Sequence, residues 1–142
     1  MLSVFALALL VGCGDGTIDT VDVNKDGIVE EIDEDPPIIV HTPVEGTQTF
    51  GADVAIEAIV TDPGGAVVIV QLSYKISTDG AGDWQKQRLI TTGNDVYTGT
   101  IPGEDHSGSG VNYYIEAIDR SQNSGFSPED GKDDPYHFRV AE

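Results

Sequence analysis

Oxygen donors alternate along residues 22–33 at a spacing that suits a hard metal ion. Positions one, three, five, seven, nine and twelve of this stretch are Asp22, Asn24, Asp26, Ile28, Glu30 and Asp33. Ile28 would contribute its backbone carbonyl and the others their side chains, with Glu30 acting directly or through water. Gly27 at position six allows the sharp turn that brings alternate donors together. The pattern predicts one bound calcium ion.

These twelve residues resemble the dockerin-type variant of the calcium loop, which has Asn at position three and Asp at position twelve. Dockerins carry two such loops, each leading into a helix. Here Pro36-Pro37 stops any helix after about one turn. The resemblance therefore implies a single EF-hand-like loop without the paired loops or the dockerin's partner. Such an isolated loop is expected to bind with Kd on the order of 10⁻⁴–10⁻³ M.

The loop lies in a strongly acidic segment, residues 13–35. Nine acidic residues and one base, Lys25, lie between Gly14 and Asp35. A stretch of this charge repels itself and stays extended, so a plain solvated tether is the alternative to a calcium site. We expect calcium to neutralise and stiffen this stalk.

An apolar run of about ten residues, MLSVFALALLV, opens the sequence. It is shorter than the roughly twenty residues that a membrane span needs. The following Leu10-Val11-Gly12-Cys13 resembles the bacterial lipobox. That resemblance implies removal of a signal peptide, residues 1–12, and acylation of Cys13 with chains such as palmitate. The alternative is a buried apolar segment with an incidental cysteine.

Two details refine this expectation of a lipid anchor. No basic residue precedes the apolar run, so we expect the true start codon to lie upstream. Gly14 stands where lipoproteins retained in the inner membrane carry aspartate. The lipobox resemblance therefore implies a cell-envelope lipoprotein, with the outer membrane favoured over the inner.

Composition excludes several classes of protein. The 142 residues include 25 acids and 7 Lys or Arg, giving a formal charge of −18. A surface this negative repels the phosphates of nucleic acid. Cys13 is the single cysteine, so neither an intrachain disulfide nor a cysteine-based zinc site can form. The length suits one ordinary domain.

Residues 36–142 show period-two alternation broken by turn residues. The spacing predicts an all-β, antiparallel two-sheet sandwich of about seven strands. The expected strands are 38–42, 54–61, 68–74, 84–91, 97–101, 111–117 and 136–140.

The amino-acid sequence of this segment resembles that of a fibronectin type III or Ig-like module. The residues that carry the resemblance are Pro36–Pro43, Val54–Asp62, Gln71–Lys75, Trp84, Tyr97–Pro102, Val111–Asp119 and Asn123. Trp84 falls on the fourth expected strand rather than the second, which departs from the fibronectin pattern. Because such modules serve as spacers, adhesive units or accessory parts of exported enzymes, the resemblance implies a fold more than an activity.

Catalytic chemistry is not expected. His41, His106 and His137 are scattered and lack metal-ligand spacing, and no nucleophile has a base beside it. The acidic loop 129–134 is expected to be a solvated turn, with a second cation site as the alternative. Tyr113 and Tyr114 should point to opposite faces, and an exposed Tyr114 could form a sugar- or peptide-binding patch with Trp84.

The expected function is that of a non-catalytic, membrane-anchored lipoprotein, a binding or spacer module with an envelope protein or glycan as partner. The alternative is a carbohydrate- or protein-binding accessory module of an exported hydrolase system. The sequence does not indicate an oligomeric state.

Overall fold

The computed structural model describes residues 22–23, 29–30, 32–76, 82–105 and 110–141. The chain divides into two compact units, Met1–Ile32 and Asp33–Glu142. In the first unit, strand β1 (Asp22–Val23) pairs antiparallel with β2 (Val29–Glu30). The predicted signal peptide and lipidation site, residues 1–12 and Cys13, lie outside the described residues.

The second unit contains two sheets. The four-stranded sheet has the order β3 (Ile38–His41), β5 (Val54–Thr61), β9 (Val96–Ile101) and β8 (Ile90–Gly93). The six-stranded sheet has the order β4 (Thr47–Thr49), β12 (Tyr136–Ala141), β10 (Val111–Asp119), β6 (Val67–Ile76) and β7 (Gln85–Arg88). A further strand, β11 (Ser124–Ser127), pairs with the second half of β10.

The predicted all-β sandwich is confirmed, and its two sheets are consistent with an Ig-like or fibronectin-type module. The described residues of this unit form ten strands rather than about seven. The expected strand 84–91 is two strands, because the chain crosses between the sheets at buried Leu89. The short strands β4 and β11 read Thr-Gln-Thr and Ser-Gly-Phe-Ser, and neither has the apolar alternation that marks a strand. The expected all-antiparallel pairing also fails at one place, since β4 runs parallel to β12.

The core lies between the two sheets. Every second residue of β5 is buried, and the same alternation runs along the inner face of β10. The largest fully buried side chains include Tyr113, Phe138, Ile56 and Leu72. Burial of each such apolar side chain stabilises the fold by about 1.5–3 kcal/mol, so the sandwich holds together without a disulfide.

The buried hydroxyl of Tyr113 joins the sheets where the chain passes from β3 to β4. It accepts a hydrogen bond from the Val44 amide at 2.9 Å and donates to Nε2 of His41 at 2.9 Å. His41 Nδ1 in turn donates to the Glu57 carbonyl at 2.6 Å, which requires a proton on Nδ1; in the neutral ring, Nε2 is then the acceptor for the Tyr113 hydroxyl. Burial raises the pKa of Tyr113 to about 12 and lowers the pKa of His41 below its ordinary 6.5. His41 is thus a half-buried link between the sheets.

We expect acid to weaken the fold through His41. Above pH 6.5, the ordinary pKa of histidine, the residue is neutral in both states and the hydrogen bonds are intact. As the pH falls, the unfolded chain binds the proton first, so stability is lost until the pH passes the lowered folded-state pKa. Melting temperatures from pH 7.5 to 5.5 should therefore fall less for His41→Gln than for the natural chain. The exposed His137→Gln should behave as the natural chain does, and equal slopes for all three proteins would contradict the assignment.

Candidate metal centre

Three carboxylates meet at one end of the sandwich. One oxygen from each of Asp33, Asp62 and Asp119 lies within 4.8 Å of the other two. Among the described residues, no other group of three His, Cys, Asp or Glu side chains is this close. Oxygens that ligate one calcium ion at 2.3–2.6 Å lie at most about 5 Å apart, so the spacing fits a shared ion.

The alternation of two strands explains why Asp62 and Asp119 lie at this end of the core. Asp62 is the next member of the buried series in β5, which is Val54, Ile56, Ala58 and Val60. Asp119 is the last member of the buried series in β10, which includes Val111, Tyr113, Ile115 and Ala117. Sequence reasoning missed both residues, although an aspartate in an inward-facing position of an apolar strand is the signal that marks them. The pairing of β10 with β6 also shifts register next to Asp119, and such irregularities redirect side chains.

Asp33 reaches the cluster across a turn that has no side chains in the way. A Cβ atom on Gly64 would collide with the Asp33 carboxylate, and one on Gly65 would lie 2.8 Å from Asp33 Oδ2. The turn is itself held by Asp62, whose Oδ1 accepts a hydrogen bond from the Gly64 amide at 3.1 Å. The glycine pair therefore forms a cradle for the third carboxylate.

Asn123 connects the segment 33–35 to the end of β10. Its side-chain amide donates to the Asp33 carbonyl at 2.9 Å and to Asp119 Oδ2 at 2.8 Å. Its backbone amide donates to Asp119 Oδ1 at 2.8 Å. Asp119 is 2% exposed, so these two hydrogen bonds replace the water that its carboxylate loses on burial.

The donor set fits a hard cation. Asp62 Oδ2 is buried and has no hydrogen-bond partner, a state that costs free energy unless a ligand satisfies the oxygen. Three carboxylates in one place also repel each other. Arg120 follows Asp119 in the chain, but its side chain is exposed to solvent rather than buried beside the three carboxylates. Carboxylate oxygens without sulfur or imidazole select calcium or magnesium over zinc or copper. Calcium tolerates the irregular geometry of a strand-end site better than magnesium does.

The predicted loop is described only in part. Asp22 and Glu30, its positions one and nine, are paired across the β1–β2 ladder. Asn24, Asp26 and Ile28 lie outside the described residues, as do Cys13 and His106. Asp33, the twelfth position, is found with Asp62 and Asp119, two residues that the twelve-residue pattern does not contain.

The Trp84–Tyr114 pair is a contact on the outer face of the six-stranded sheet. The two rings lie 4.9 Å apart in an edge-to-face arrangement, and Lys75 Nζ lies 4.9 Å from the centre of the Trp84 ring. The expectation that Tyr114 is exposed is wrong: 7% of it is accessible, because Trp84 and Phe126 flank its ring. Trp84 is therefore already in contact with a cation and an aromatic ring of its own chain.

Comparison with known proteins shows similarity of fold alone. No family model matches the chain, and no curated protein matches its sequence. An engineered protein of known crystal structure is 15% identical with a TM-score of 0.50, over 75% of this chain and 20% of that one. The sulfane dehydrogenase of Paracoccus pantotrophus is 16% identical with a TM-score of 0.42, over 73% of this chain and 27% of that one. A β-glucosidase from Listeria innocua is 9% identical with a TM-score of 0.46, over 82% of this chain and 17% of that one.

The chain thus spans about a fifth to a quarter of the length of these structures. Within the described part of the chain, no helix is long and apolar enough to cross a membrane.

Proposed function

We propose that the chain is a non-catalytic module of the bacterial cell envelope, anchored through lipid on Cys13, in which calcium fixes the end of an acidic stalk to a β-sandwich. One observation carries the proposal: Asp33, from the acidic segment, converges with Asp62 and Asp119 at the end of the core. An ion held there would join residues 33–35 to two strands of different sheets.

We call the cluster of Asp33, Asp62 and Asp119 the calcium joint. The charges of these residues supply the physical reason why it would depend on a cation. Without an ion, the three carboxylates repel one another, and this repulsion favours release of segment 33–35. With calcium present, the ion neutralises the cluster and satisfies the buried Asp62 Oδ2. A weak site is adequate outside the cytoplasm, where calcium is millimolar, so the module would be stiff there.

The joint and the loop 22–33 share Asp33, which allows calorimetry to separate them. Asp26→Ala removes a ligand of the loop alone, Asp62→Ala a ligand of the joint alone, and Asp33→Ala one of both. Titration of the full chain with calcium should give a heat of binding. Asp62→Ala should weaken the calcium affinity about tenfold or more, and Asp33→Ala should abolish the heat. Glu45→Gln, an exposed acid distant in sequence from the cluster, serves as the matched control. Calcium heat unchanged by Asp62→Ala would refute the joint, and heat unchanged by Asp26→Ala would refute the loop.

The membrane anchor has a separate test. The intact mass of the protein extracted from bacterial membranes should correspond to a chain that lacks residues 1–12 and carries acyl groups on Cys13. Several acyl chains, each CH₂ contributing about 0.8 kcal/mol, would give stable attachment. Recovery of the unmodified full-length chain from the soluble fraction would contradict the anchor while leaving the calcium joint intact.

The alternative role, a glycan-binding accessory module, has less support from the geometry. A sugar ring stacks on an open aromatic face, whereas Lys75 lies over the Trp84 ring and Tyr114 contacts that ring in a T-shaped arrangement. The spacer role is therefore the one that we carry forward.

A further inference from the structure

The six-stranded sheet carries a groove on its outer face, whereas Asp119 of the carboxylate cluster belongs to the inward-facing series of β10. Strands β11 and β12 pair with opposite halves of β10, and between them residues 128–135 leave the sheet. This loop and the outer face of the sheet line a groove with a volume of about 480 Å³. A volume of this size accommodates an organic group rather than a single metal ion.

The floor of the groove is aromatic. Phe126 is 41% exposed, and its ring lies 6.4 Å from that of Tyr114. The loop packs closely on Phe126, because a Cβ atom on Gly131 would lie 3.2 Å from the Phe126 ring. The Ser127 and Tyr136 hydroxyls are joined at 2.8 Å near the start of β12. The loop 128–135 is thus fixed on the aromatic floor by the packing of Gly131 on Phe126 and at its two ends by the hydrogen bond between Ser127 and Tyr136.

The walls of the groove are acidic. Its charged lining residues are four acids and one base: Glu116, Glu129, Asp130, Asp133 and Lys132. Glu116 lies directly across the β10–β11 ladder from Phe126, so one carboxylate stands beside the exposed ring. Within the described residues, no three of these carboxylates converge closely enough to share a metal ion. Negative charge spread along an aromatic floor suits an extended organic cation.

We propose that this groove binds arginine side chains of a basic segment in a partner protein. A guanidinium group stacks on aromatic rings and donates paired hydrogen bonds to carboxylates, and the groove provides both partners side by side. The same row of rings already takes a cation from this chain at its other end, where Lys75 lies over Trp84. The site does not depend on the calcium joint, and it adds a class of partner to the spacer role.

Fluorescence anisotropy of labelled hexa-arginine and hexalysine peptides tests the proposal on the full chain at 0.15 M salt. The control for general attraction to a chain of charge −18 is Glu57→Gln/Asp95→Asn, which removes two acids outside the groove, one on β5 and one in the turn between β8 and β9. The groove variant is Glu129→Gln/Asp130→Asn, and Phe126→Leu keeps an apolar side chain without the ring.

We expect the groove variant to weaken hexa-arginine binding about fivefold and the control less than twofold. Phe126→Leu should weaken hexa-arginine binding about threefold through loss of the ring–cation contact, and hexalysine should bind more weakly than hexa-arginine. Equal losses in the groove and control variants, or no measurable binding of either peptide, would overturn the proposal.

Discussion

Replacement of Asp119 by alanine is expected to lower the free energy of unfolding by about 3 kcal/mol, even with no calcium present. The carboxylate of Asp119 is buried and accepts two hydrogen bonds from Asn123, one from the backbone amide and one from the side chain. Hydrogen bonds to a charged group contribute about 1.5–3 kcal/mol each, and their loss leaves buried donors without acceptors. Asn123 would then no longer hold the segment that contains Asp33 against the end of β10.

Urea unfolding in the presence of a chelator measures this effect. The midpoint should fall by about 1–3 M in Asp119→Ala, since m is about 1–3 kcal/mol/M for a small domain. Glu45→Ala changes an exposed acid that is not a member of the cluster, so it should stay within about 0.5 kcal/mol of the natural chain. A midpoint unchanged in Asp119→Ala would show that the clamp through Asn123 contributes nothing.

The sandwich could be predicted from sequence because its central strands follow the physics of half-buried sheets. Both β5 and β10 bury every second residue, and apolar alternation of this kind is visible without a structure. The errors fall where packing rather than pattern defines a strand. Residues 84–91 look like one strand, yet Leu89 is the point at which the chain changes sheets.

The carboxylate cluster was predictable only in its local part. Asp33 belongs to a regular spacing within twelve residues, whereas Asp62 and Asp119 reach it from far along the chain. Their convergence depends on two strands of different sheets ending at the same end of the core, and no local pattern encodes that. An aspartate that continues an apolar series remains a usable signal in sequences of this type.

The expected exposure of Tyr114 on the outer face of the six-stranded sheet was wrong for a related reason. Strand alternation places Tyr113 and Tyr114 on opposite faces, but it does not say what covers each face. Tyr114 is buried because Trp84 flanks it on one side and Phe126 on the other. Trp84 immediately precedes β7 and Phe126 lies in β11, so their contacts with Tyr114 follow from the tertiary fold.

The second large expected effect concerns Asp62→Asn, which should raise the free energy of unfolding relative to the natural chain without calcium and lower it with calcium. In the natural chain without calcium, the buried Asp62 Oδ2 has no partner and faces the charge of two other carboxylates. An asparagine keeps the acceptor for the Gly64 amide and presents an NH₂ group to the neighbouring carboxylates. Without calcium the variant should therefore be more stable than the natural chain, by about 1 kcal/mol. With calcium the order should reverse, because the natural chain alone gains the binding free energy.

Thermal unfolding of the full chain and of Asp62→Asn, each in chelator and in 10 mM calcium, tests the calcium joint most directly. At a calcium concentration of ~10–100 times Kd, the natural chain should gain about 1.4–2.7 kcal/mol, which raises its melting temperature by roughly 5–15 °C. The variant should melt above the natural chain in chelator and respond to calcium by less than about 2 °C. The same calcium-induced rise in both proteins would contradict a joint built on Asp33, Asp62 and Asp119.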